Sequence, residues 1–287
     1  MLALDFVDPR LAHGQWRAFF DDLYPDLGEP LNVVISALSD QSVIKDKHGL
    51  EDWLSSIFYG RQCLGLHMGK KQQANLGDGN GFIEQAGLLR WTFGLPSHAG
   101  TCWESLAGGS HIRYWFQNGP LARGGAVFFA ASDEKDAIGS HQIISNGYDI
   151  ARDKIVDLAL RPEGTVSPLS GTTYTATAQY LDGFLPEGSA GINHDIGIDG
   201  RVAVLRINVL QDSVVVLPDP TAGCLAAMLV VTTIVTALIY WIVRVRAKSA
   251  GATLPIGIQD IHWRRHEQFL QEVGKLRSTS ELDDVSM

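Results

Sequence analysis

Hydrophobic and polar positions change period several times along this chain. Leu31 to Leu38 (LNVVISAL) is a compact, β-branched run between Pro30 and Asp40, the pattern of a buried strand. From Val43 to Phe58 the period turns helical, with Ile44, Leu50, Trp53, Leu54 and Ile57 on one side and Lys45, Lys47 and Asp52 elsewhere. Arg61 to His67 reads as a second short strand, and residues 69–100 read as loop. His111–Gln117 and Gly125–Ser132 are strands on either side of an Asn118-Gly119-Pro120 turn, and His141–Ser145 is a shorter one. Tyr148–Leu160 is an amphipathic helix that directs Ile150, Ile155, Val156 and Leu158 or Leu160 to a core. A linker at 161–171 leads to an alternating strand at Thr172–Tyr180, a Gly-rich loop at 185–199, and one or two strands within 200–217. These elements predict an α+β domain, with a mixed or antiparallel sheet packed with two or more helices, over residues 30–217 behind an arm at 1–29.

The pattern then loses its polar half. Thr221 to Val243 holds no charged residue over about 23 positions, and a helix of that length covers roughly 30 Å, the hydrocarbon thickness of a bilayer. Tyr240 and Trp241 sit beside Arg244, Arg246 and Lys248, where amphipathic rings prefer the lipid–water interface. The run predicts one C-terminal transmembrane helix at 221–243, a polar tail at 244–287, and the lipid bilayer as a partner. Basic residues cluster after the run, and only Arg206 lies shortly before it. The positive-inside rule then puts the tail in the cytosol and the large domain on the extracytoplasmic side. Against this, residues 1–22 lack a signal-peptide pattern, because Asp5, Asp8 and Arg10 interrupt any apolar stretch, and no N-x-[ST] sequon occurs.

Of the net charge of −9, the block before the membrane run carries about −10 and the tail after it about +1. An acidic domain with no basic patch repels a phosphate backbone, so nucleic acid is excluded as a partner. Of three cysteines, Cys224 lies in the apolar run. Cys63 and Cys102 form either one disulfide, given an oxidising compartment, or two buried thiols. No Cys/His spacing of a metal site occurs, and Gly77-Asp78-Gly79-Asn80-Gly81 lacks the ligand spacing of a calcium loop and reads as a turn. No phosphate loop, dinucleotide fingerprint or nucleophile elbow is present, so no metal and no cofactor is expected.

His111, Arg113 and Trp115 alternate along one strand and emerge on one face. Arg grips anions, His trades protons near neutral pH and Trp can wall a pocket; equally, the Arg can pair with an acid such as Asp149 or Asp153. His141, Asp149, Arg152 and Asp153 gather around the start of the 148–160 helix, where Asp149 suits the helix dipole.

Several fragments occur in a shared order: Pro30-Leu31-Asn32-Val33-Val34, Tyr59-Gly60-Arg61-Gln62, His111-Ile112-Arg113-Tyr114-Trp115, Gly125 to Ser132, His141, Tyr148-Asp149-Ile150-Ala151-Arg152-Asp153 and Ile198-Asp199-Gly200-Arg201-Val202. Together they resemble the LssY C-terminal domain, a module attached to bacterial membrane proteins, over residues 30 to about 210. They are also similar to uncharacterised fungal single-pass membrane proteins. The resemblance singles out Arg61, His111, Arg113, Trp115, His141, Arg152, Asp153 and Asp199 and carries no activity. The chain departs from it in a longer 69–108 segment and in Ser110, where a basic residue is usual. The expected function is a membrane-anchored binding or interaction module. The alternative is a membrane-surface enzyme for a phosphate-bearing or lipid substrate. There His111, His141 and Asp153 would be catalytic candidates, and Arg61, Arg113, Trp115 and Arg152 would hold an anionic small molecule.

Overall fold

The computed structural model describes residues 5–20, 26–65, 69–122, 124–135 and 142–211. The expected membrane helix at 221–243, the tail at 244–287 and His141 lie outside the described residues. Among the described residues no helix is long and apolar enough to cross a membrane.

The strands are β1 (Arg17–Phe20), β2 (Glu29–Pro30), β3 (Val33–Ile35), β4 (Tyr59–Arg61), β5 (Gln72–Asn75), β6 (Phe82–Glu84), β7 (Gly87–Trp91), β8 (Gly109–Phe116), β9 (Val127–Glu134), β10 (Thr165–Val166), β11 (Thr173–Leu181) and β12 (Val202–Gln211). The α-helices are α1 (Gln41–Ile44), α2 (Lys47–Ser56), α3 (Ser97–Ala107) and α4 (Gly147–Ala159). The main sheet has eight strands in the order β10-β11-β12-β3-β9-β8-β7-β4. All its neighbours are antiparallel except β12 and β3. A small antiparallel sheet runs β2-β1-β5-β6. The class is α+β with a mixed sheet.

Each face of the main sheet carries its own core. On one, Ile112, Tyr114, Phe129 and Leu205 pack against Leu50, Trp53 and Leu54 of α2 and Ala151 and Ile155 of α4. On the other, Trp115, Phe128 and Val204 meet Ala18 and Ala74 of the small sheet together with Phe6 and Trp16. The N-terminal segment is thus part of the domain packing. Each large apolar side chain sealed in this way contributes roughly 1.5–3 kcal/mol of transfer free energy. The main sheet curls enough that its two edge strands, β10 and β4, both pack on α2. Ser56 and Ser55 of that helix bond to Thr165 and Ser167 at 2.7 and 3.0 Å.

Several expected elements change. The single helix at 43–58 divides into α1 and α2, because the Asp46 carboxylate accepts from the N–H groups of His48 and Gly49 and caps a new helix. The strand at 61–67 is β4, ending at Arg61, then a tight turn at Cys63–Gly65 with Leu64 at a positive φ of 49°. The short strand at 141–145 reduces to one bridge between Glu134 and Ile143. The stretch 69–100 holds β5, β6, β7 and the start of α3. Helix α3 contains Gly100, a poor helix former, because a Cβ there would collide with the Thr92 backbone. Along α4 the buried stripe is Tyr148, Ala151, Arg152, Ile155, Val156 and Ala159, which leaves Ile150 and Leu160 exposed. Asp78 in the Gly77–Gly81 turn is fully buried and accepts from the N–H groups of Asn80 and Gly119, so it clips two loops together.

Candidate functional site

Strand register sets out the first charged cluster. Arg90 on β7, His111 on β8 and Ser132 on β9 form one cross-strand row facing the second core. Arg90 Nη1 lies 3.0 Å from both carboxylate oxygens of Glu104 on α3 and 3.5 Å from Glu134 Oε2. His111 Nδ1 lies 3.2 Å from Glu134 Oε1, and its Nε2 is 3.0 Å from the Ser132 hydroxyl. All these groups are buried. Burial pushes the Glu104 carboxyl up to about 7, with the Glu134 charge adding to the rise and Arg90 opposing it. Glu104, His111 and Glu134 each offer one ligand atom, and these atoms lie within 4.8 Å of one another. Two carboxylates and an imidazole suit a divalent cation. Here, however, the Arg90 guanidinium already sits on both Glu104 oxygens.

Arg113 and Trp115 follow His111 on the same face. Arg113 Nη1 donates to Gln85 Oε1 at 2.7 Å, and its Nε lies 3.7 Å from Glu29 Oε2. Its acid is therefore Glu29, and neither Asp149 nor Asp153. Burial raises the Glu29 carboxyl, against the pull of Arg113. Trp115 is wholly enclosed and walls no opening.

Asp149 and Asp153 belong to a second cluster around Arg152. Its Nη1 lies 2.5 Å from Asp199 Oδ1 and 3.3 Å from Asp149 Oδ1, and its Nε lies 2.8 Å from Asp153 Oδ1. The Tyr180 hydroxyl donates to Asp153, and the guanidinium stacks over the Tyr180 ring. Burial raises Asp149 to about 6, helped by the Asp199 charge. At Asp199 burial pulls upward too, but its hydrogen bonds from Arg152 and Arg201 N–H hold it low. Asp199 emerged from the sequence only through the resemblance, and here it closes the cluster.

Arg61 stands apart from these clusters, on an open cleft of about 920 Å³. One wall is α2, with His48, Glu51, Asp52 and Ser55. The second is β4 and the turn into α3, with Arg61, Leu95 and His98. The third is β10 and the connection after it, with Val166 and Leu169. The acids here are already engaged. Glu51 accepts from the Tyr114 hydroxyl at 2.8 Å and pairs with Arg61 at 2.9 Å. Asp52 accepts from Ser167, Ser170 and Tyr174 at 2.5 to 2.7 Å. What remains open is apolar surface on Leu95, Val166 and Leu169, with His48, His98 and the outer edge of Arg61 on the rim.

Cys63 and Cys102 are joined by a disulfide with their Cα atoms 4.6 Å apart. It ties the turn after β4 to the middle of α3, bracing that wall of the cleft. Of the residues singled out in the sequence, then, only Arg61 lies on the cleft among those described. His111 lies buried against Glu134 and Ser132, and Arg113 and Arg152 each pair with acids of their own away from the cleft. Sequence reasoning missed Glu29, Arg90 and Glu134, and the cleft residues His48, His98, Leu95 and Leu169. The one signal near the cleft was the cysteine pair. No protein-family model, no curated protein and no solved structure matches this chain.

Proposed function

We propose that this chain is a membrane-anchored binding domain. Residues 221–243 are its single bilayer-spanning helix, the large domain stands on the extracytoplasmic side, and the tail is cytosolic. Its ligand is an amphipathic molecule, with an apolar body in the cleft and an anionic head at Arg61, His48 and His98. The cleft carries this reading: its free surface is apolar and its free polar groups are basic or neutral, whereas its acids are held by internal hydrogen bonds. The Cys63–Cys102 disulfide supports an oxidising compartment, in keeping with that orientation. In the same reading, residues 30 to about 210 form a domain similar to the LssY C-terminal domain. A surface enzyme working through His111 and the arginines finds less support, because those groups are buried against acids.

Uptake of a fluorescent fatty-acyl probe by the full chain held in amphipol tests the cleft. Leu169→Asp places a charge on an exposed wall residue and is expected to weaken uptake roughly tenfold while the circular dichroism spectrum is kept. Equal uptake by the variant and the parent would overturn the cleft assignment.

A further inference from the structure

Among the described residues, helix α3 turns one face outward with its side chains exposed. Ala99, Trp103 and Leu106 recur at i, i+4 and i+7 on that face. The turn ahead of the helix adds Phe93 and Leu95, and the turn held by the disulfide adds Leu64, next to the Cys63 that is bonded to Cys102. The five large members are between 39% and 78% exposed, far more than an apolar cluster keeps when its only role is packing. Trp103 is the one exposed tryptophan among the described residues.

The charge pattern identifies what covers this face. Segment 93–107 contains a single acid, Glu104, which is turned inward onto Arg90. Segment 62–65 contains none. In a chain of net charge −9, these two segments therefore bring no outward-facing acid to the apolar face, while His98 lies within it and the exposed Arg61 precedes it in sequence. A protein partner places no demand on that pattern, whereas a headgroup layer over hydrocarbon does, because a carboxylate at that boundary is costly to desolvate. An amphipathic Trp ring also favours that interface.

We infer that Leu64, Phe93, Leu95, Trp103 and Leu106 form a membrane-docking surface that seats in the headgroup–acyl boundary. The inference rests on the reading that the chain works at a bilayer, and it deepens the cleft assignment. Leu95 belongs to both the docking surface and the cleft wall, so the cleft mouth opens at the lipid surface and its ligand is drawn from the leaflet.

The full chain is reconstituted into phosphatidylcholine vesicles containing a minority of phosphatidylserine, with and without bromine on the acyl chains. Brominated lipid is expected to quench an emission component that Trp103→Phe lacks, and Leu64→Glu with Leu106→Glu is expected to abolish that component. An emission difference between parent and W103F that is the same in both vesicle types overturns the proposal. Should that difference resist aqueous acrylamide as well, a second copy or another protein covers the face, and the proposal fails in that way. If the chain purifies without detergent, the anchor reading has failed separately, and flotation with the same vesicles tests the face itself. A roughly tenfold loss of flotation in Trp103→Asp supports docking, and no flotation of the parent overturns it.

Discussion

Arg152 and Arg61 both stand beside carboxylates, yet they belong to opposite kinds of place. Arg152 is 1% exposed and is shared among Asp149, Asp153 and Asp199, three acids drawn from one helix and one loop. Arg61 has a 63% exposed side chain and is matched to Glu51 alone, with an open cleft beyond. The sealed arginine has no capacity left for a ligand, so its role is to fix α4 against the loop before β12. The open one is held in place on one side and free on the other, which is what an anion contact requires. Residue type cannot separate these cases. The number of carboxylates around each guanidinium and the water around it do.

Three substitutions sharpen that contrast, beginning with the largest effect. Arg152→Met leaves three acids facing one another without a cation. It is expected to cost about 3 kcal/mol or more in urea unfolding while probe uptake by the folded fraction stays unchanged. A loss below about 1 kcal/mol would mean that the cluster is solvated and that the comparison fails.

The second concerns pH. Glu104 is held at about 7 in the fold against an ordinary 4.5. Between those values the folded chain keeps a proton that the unfolded chain has released, so stability is full below about 4.5 and declines as pH rises through about 7. Asp149, raised to about 6, adds to the same slope over its own range. Glu104→Gln is expected to flatten the Glu104 share of the decline and to leave the Asp149 share. Urea midpoints across that range check it, and identical slopes in parent and variant would show that Glu104 ionises freely.

The smallest effect belongs to Arg61→Ala. An exposed pair contributes less than about 1 kcal/mol, so unfolding barely moves. Uptake of an anionic acyl probe is expected to fall several-fold while that of a neutral acyl alcohol is kept. Equal losses for both would remove the anion contact.

The regular parts of the fold could be read from the chain. The alternation at His111–Phe116 and at Thr173–Leu181, and the helical spacing around Leu50–Leu54, match β8, β11 and α2. Elements stabilised mainly by their surroundings could not be read. Strand β5 is Gln72-Gln73-Ala74-Asn75, with almost no apolar content, and forms because β1 and β6 flank it. Helix α3 carries Gly100 and Ser97 and forms because Thr92 presses on it and the Cys63 bridge holds it. The site was less readable still. His111, Arg113 and Arg152 drew attention through chemical type, but Glu134, Glu29 and Asp199, which close their contacts, are far away in sequence. Glu29, for example, lies on β2, with five strands and three α-helices between it and β8 in the chain. The cleft joins Arg61, Leu95 and Leu169, none of which marks itself locally. It exists only because a curled sheet brings both edges to one helix.

The bridge between Cys63 and Cys102 also has a mechanical meaning. It closes a covalent ring over a separation of 39 residues, and that ring threads β5 and β6 of the small sheet as well as β7 of the main one. A pull on the two chain ends travels around the ring and does not open it. Stretched to full extension, the oxidised chain should come out roughly 130 Å shorter than the reduced chain. Strands of both layers stay within that closed loop even after every hydrogen bond has gone.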